Sequence, residues 1–129
     1  MTQEDYISFE TAKLLKEKGF DEKCRTYYKV FPESRIAAIY HSSENRGVSE
    51  DDPNEILCPT LQMVMKWLRK VHEIFIRPNI SFLYPIRYYC EILCYGDNLK
   101  TQQDVTTETF ESPEEACEAS IKYCLENLI

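Results

Sequence analysis

Glycine is scarce in this chain, with three residues in 129, at positions 19, 47 and 96. Loops that cradle phosphate need closely spaced glycines, so a P-loop and a dinucleotide fingerprint are excluded, and the common nucleotide-binding enzymes with them. Histidine is scarcer still, His41 and His72 alone. No H-E-x-x-H, G-x-S-x-G or kinase-type set occurs. Long apolar runs are missing as well, and none approaches the roughly 20 residues that span a bilayer. The opening MTQEDYISFE has no basic start followed by an apolar run, so no secretory signal is expected. The expected setting is the cytoplasm, without membrane association.

Positive charge is also in short supply. Fifteen Lys and Arg stand against 22 Asp and Glu, a net charge of −7. Binding through phosphates needs clustered cations that release counterions, so nucleic acid is a disfavoured partner. What is present is globular in kind: 43% apolar and 29% charged residues, in a length suited to one α+β domain over residues 1–129. The six cysteines are expected as free thiols, because a reducing compartment does not maintain disulfides and small buried thiols pack as hydrophobes.

Local signals give an element order. In SFETAKLLKEK (8–18), Ser8 suits an N-cap, Ile7 can staple onto Ala12, and Gly19–Phe20 suit a Schellman end against Leu15. RTYYKV (25–30) and RIAAIY (35–40) flank FPES, a turn with Pro32, and predict a hairpin. The polar stretch 41–57 is expected to be a long loop. Leu61, Val64, Met65, Leu68 and Val71 recur at helical spacing, with Met63 and Trp67 widening the stripe. Cys58-Pro59 suits N-cap and N1 of that helix. HEIFIR (72–77) predicts a strand ended by Pro78, and PIRYYCEILCY (85–95) a strong one. A register with Arg77 opposite Glu91 avoids facing like charges. GDN (96–98) suits a turn before a weak strand within 100–107, and Ser112, Pro113 and Glu115 open a capped final helix. The expectation is an α+β fold, α-β-β-α-β-β-(β)-α, with helices on one face of a mainly antiparallel sheet.

Candidate chemistry is thin. Cys90 and Cys94 lie about 13 Å apart along an extended strand, and Cys117 and Cys124 about 10 Å apart along a helix. Neither spacing is the tight knuckle that zinc needs, so no metal site is expected. Cys58 at a helix start is the candidate reactive thiol. His72 lies about 20 Å along the same helix, too far to act as its base, and suits the helix C-terminus as a charge partner. No catalytic residue and no cofactor is assigned, and the expectation leans away from an enzyme. Arg87, Tyr89, Glu91 and Tyr95 share the outer strand face, and Lys66, Arg69 and Lys70 the basic side of the helix. These two groups are the candidate binding residues, tyrosine and arginine being enriched in interface hot spots.

YISFETAKLLKEKGF, PTLQMVMKWLRKVHEIFI and SPEEACEASIKYCLENLI together resemble a group of small, uncharacterised proteins of Bacteroides-type gut bacteria, met among phage and mobile-element genes. The resemblance covers the three helices, about half of the chain, and implies a bacterial or phage cytoplasmic setting. It supplies no mechanism. The functional expectation is a non-enzymatic accessory protein working on a protein partner or as a homodimer. The alternatives are a nucleic-acid module, if Lys66, Arg69, Lys70, Arg77 and Arg87 merge into one patch, or an acidic decoy presenting SEDDPNE (49–55).

Overall fold

The computed structural model of the chain describes residues 5–31, 33–34, 36–46, 54–82, 85–94, 101–104 and 109–129. The chain forms two compact units, residues 1–60 and 61–129. The first contains α1 (Phe9–Glu17), β1 (Cys24–Phe31), β2 (Ile36–Arg46) and β3 (Glu55–Leu57). The second contains α2 (Leu61–His72), β4 (Ile74–Ser81), β5 (Arg87–Cys94), β6 (Thr101–Asp104) and α3 (Pro113–Asn127). The α+β class and the expected order hold, but the strands divide into two three-stranded antiparallel sheets, ordered β2-β1-β3 and β4-β5-β6. Among the described residues no helix is long and apolar enough to cross a membrane.

In the first unit the helix signals act as expected. Ser8 Oγ accepts from the Thr11 amide, satisfying one of the orphan donors of the first turn. At the other end Gly19 takes a φ of 86°, and the Phe20 amide donates to the Leu15 carbonyl at 3.0 Å. That is the Schellman bond, and it needs the left-handed residue that glycine tolerates. The β1–β2 hairpin pairs Phe31 with Ile36 and Tyr27 with Tyr40.

The expected loop 41–57 is corrected here. β2 continues through Arg46, and Glu55–Leu57 form β3 on the far side of β1. Residues 47–53 lie outside the described residues. The ladder shifts register between Cys24 and Thr26, and beyond the shift Cys24 pairs with Arg46. An edge strand needs only one ladder, so polar composition does not forbid it. The helix start is corrected too. α2 begins at Leu61, and Cys58–Thr60 continue β3 in extended form: Cys58 N donates to Thr26 O, Ile7 N to Pro59 O, and Tyr6 bridges Thr60. Backbone groups already used by a sheet cannot serve as a helix cap.

In the second unit α2 and α3 pack on one face of the sheet. Val64, Leu68, Ile92, Ile121 and Leu125 are fully buried. Trp67 joins them, whereas Val71, expected in the stripe, is 54% exposed in the last turn. β4 begins at Ile74 and passes through Pro78 instead of ending before it. It is an edge strand, so the missing proline N–H has an open side on which no ladder is lost. α2 passes into β4 through the single residue Glu73, whose φ of 55° is left-handed. In α3, Ser112 Oγ accepts from the Glu115 amide and Pro113 opens the helix, as expected.

A non-glycine residue in the left-handed region costs roughly 1–2 kcal/mol. Glu73→Gly is therefore expected to raise the unfolding free energy by about 0.5–1 kcal/mol, and Glu73→Val to lower it by more than 1 kcal/mol. Urea unfolding of the two variants beside the parent checks both signs.

Candidate functional site

The register of β4 against β5 decides which side chains leave the core. Ile74 pairs with Cys94, Ile76 with Ile92, and Arg77 with Glu91, as the charge argument requires. Ile74, Ile76, Cys90 and Ile92 are buried beneath the helices. The alternate positions, Phe75, Arg77 and Asn79 on β4 with Arg87, Tyr89, Glu91 and Leu93 on β5, form the outer face. Of the outer-face candidates, Arg87, Tyr89 and Glu91 are thus brought together; Tyr95 lies outside the described residues.

Arg77, Glu91 and Arg87 each have a counterpart among the described residues. Arg77 Nη2 donates to Glu91 Oε2 across the strands, with side chains 52% and 13% exposed respectively. Arg87 donates through Nε to Thr109 Oγ1 and through Nη2 to the Thr109 carbonyl, and stands 3.8 Å from Glu111. These bonds come from the segment before α3, which also bridges Tyr88 through Phe110. The arginines are therefore held in place. Tyr89, Phe75 and Leu93 supply the half-buried apolar area beside them.

Lys66 and Lys70 do not join this group, whereas Arg69 reaches its edge through Phe75. Lys66 and Lys70 are exposed on the side of α2 away from its buried residues, with the helix between them and the sheet. The Arg69 guanidinium carbon stands 5.7 Å from the centroid of the Phe75 ring, a cation–π arrangement. A single basic patch combining Lys66 and Lys70 with Arg77 and Arg87 is thus not formed.

Cys58 is placed differently from the expected reactive thiol. It is 1% exposed, and its thiol donates to the Ile7 carbonyl at 3.6 Å. Three residues ahead of α2, it does not hold the helix-end position that would favour a thiolate. His41 sits on β2 with Nδ1 3.1 Å from Thr26 Oγ1 and its ring 5.9 Å from Tyr6. His72 meets Trp67 edge to face at 4.8 Å, and its Nε2 is sealed from water with no partner among the described residues. Desolvation lowers its pKa, so it is no charge partner for the helix end; the neutral ring is the favoured form.

One surface escaped the sequence reading. In the first unit Tyr27 stacks on Tyr40 at 5.8 Å and 18°, and Phe31 tilts towards Tyr40 at 6.5 Å. Phe31 and Tyr40 are 38% and 40% exposed. The odd-numbered run Tyr27, Lys29, Phe31 was a visible signal, but Tyr40 joins it only through the hairpin register. No family model, no curated protein and no solved structure matches the chain.

The state of His72 generates a pH prediction. Its pKa in the fold is below the ordinary 6.5, so the unfolded chain binds the proton more readily. The associated stability is fully present above pH 6.5 and falls as the pH drops from there through the lower folded value. Thermal unfolding between pH 8 and 5 is expected to show this loss, and His72→Gln is expected to flatten it.

Proposed function

We propose that the protein is a small non-enzymatic accessory protein acting through protein–protein contacts, with the outer face of β4 and β5 as its contact surface. The supporting observation is the pairing of Arg77 with Glu91 beside Tyr89. A phosphate-binding surface needs cations directed at the ligand, but Arg77 and Arg87 are spent on partners within their own unit. Tyrosine and ordered arginine around an apolar centre are what protein interfaces enrich. The expected partner is a folded protein surface of mixed charge. A bacterial or phage cytoplasm is the setting that the resemblance of the three helices implies for that partner.

The nucleic-acid reading is weakened by the separation of Lys66 and Lys70 from the sheet face. For the acidic-decoy reading, only Asn54 and Glu55 of SEDDPNE fall among the described residues, and Glu55 pairs opposite Lys29 in the first sheet.

Replacing Tyr89 by a photo-crosslinking phenylalanine analogue is expected to give discrete protein adducts in the native host. The same probe at Lys66 is expected to give none of them. With a partner in hand, Tyr89→Ala should weaken binding about 30-fold or more, the range of a hot-spot tyrosine. Sedimentation of the pure chain separates the homodimer from a foreign partner. Nucleic-acid adducts from position 89, or oligonucleotide binding that collapses between about 50 and 200 mM salt, would overturn the reading.

A further inference from the structure

We propose that Cys90 and Cys117 form an oxidisable dithiol, which a hydroperoxide converts into a disulfide that fastens α3 to the central strand of the second sheet. The two residues are 27 positions apart in sequence, yet the fold sets their sulfurs 3.9 Å apart in hydrogen-bond contact. Cys90 lies on the inner face of β5 and Cys117 in the second turn of α3, 3% and 5% exposed, so the peroxide reaches them through local opening of the α3 contact. A disulfide needs the sulfurs about 2.0 Å apart, closer than the contact the reduced thiols make. Cys24 and Cys58, by contrast, have backbone carbonyls as their thiol partners.

The order of reaction follows from the local donors. In the reduced pair the Cys90 thiol donates to the Cys117 sulfur; once Cys90 ionises, Cys117 becomes the donor, which favours the Cys90 thiolate and holds Cys117 protonated. Ser120 adds little, since its one hydroxyl proton goes to the Ala116 carbonyl at 2.9 Å. The Cys90 thiolate attacks the peroxide oxygen: an S–O bond forms, the O–O bond breaks, and the departing oxygen takes a proton to leave as water. The Cys117 sulfur then attacks the Cys90 sulfenic acid. The S–S bond forms, the S–O bond breaks, and the hydroxide leaves with the Cys117 proton as a second water. Two thiols lose two electrons and two protons, and hydrogen peroxide becomes two waters. Cys124 is a poorer participant, because burial and then nearby Cys94 push its thiol up to about 12.

The test uses the full reduced chain under native conditions: hydrogen peroxide, alkylation of the remaining thiols, then peptide mapping without reduction. The expected result is loss of two hydrogens per chain and one link, Cys90 to Cys117. The Tm should rise by on the order of 5–10 °C, reversed by dithiothreitol. In Cys117→Ala, dimedone is expected to trap Cys90 as its sulfenic acid with no link formed. Exhaustive oxidation without the Cys90–Cys117 link overturns the proposal, as does an equal share of Cys94–Cys124. The parent-chain map decides the matter even if the variant does not fold.

Discussion

The register of β4 against β5 is the constraint on which the second unit depends. Side chains alternate across a strand, so a slip of one residue would send every inward side chain outward. With Arg77 opposite Glu91, Ile74 and Ile76 fall under the helices with Cys90 and Ile92. The ion pair and the core agree on this register, but they do not contribute equally. Burying a side chain such as Ile92, Ile121 or Leu68 contributes about 1.5–3 kcal/mol. A pair whose arginine is half exposed contributes at most about 1 kcal/mol. The apolar set therefore determines the register, and the ion pair marks it on the surface.

The same alternation sorts the chemistry. The side chains with nucleophilic sulfur go inward: Cys24 and Cys58 in the first unit, Cys90, Cys117 and Cys124 in the second. Phe75, Arg77, Arg87, Tyr89 and Glu91 go outward, where the bonds of Arg87 to Thr109 and of Arg77 to Glu91 hold the charged members in fixed geometry. A sheet face prepared in this way suits recognition. Water access and a positioned base, which thiol catalysis requires, are not features of Cys58 beneath the Ile7 carbonyl.

Legibility in the sequence tracked the range of the interactions. The ends of α1 and the start of α3 were readable because a cap is satisfied within a few residues: Ser8 by Thr11, Gly19 and Phe20 by the last turn, Ser112 by Glu115. The alternation of β5 was readable because its centre, Cys90 and Ile92, is buried on one face. The site was half readable: the grouping of Arg87, Tyr89 and Glu91 follows from that alternation, but the bonds to Thr109 depend on a segment 22 residues away.

The continuation of β2 to Arg46, the strand at Glu55–Leu57 and the passage of β4 through Pro78 had no local signal. Each depends on which strand lies alongside and which edge stays open. The displaced start of α2 has the same origin, since Cys58–Thr60 are committed to Thr26, Ile7 and Tyr6 before the helix can begin. By itself, then, the sequence determined the helices, the caps of α1 and α3, the alternation of β5 and the α+β class, because these are settled by near neighbours and by hydrophobic period. Only the tertiary structure decided the division into two sheets, the burial of Cys58, the pairing of Cys90 with Cys117 and the meeting of Tyr27 with Tyr40. Those depend on contacts between residues far apart in the chain, which no local pattern encodes.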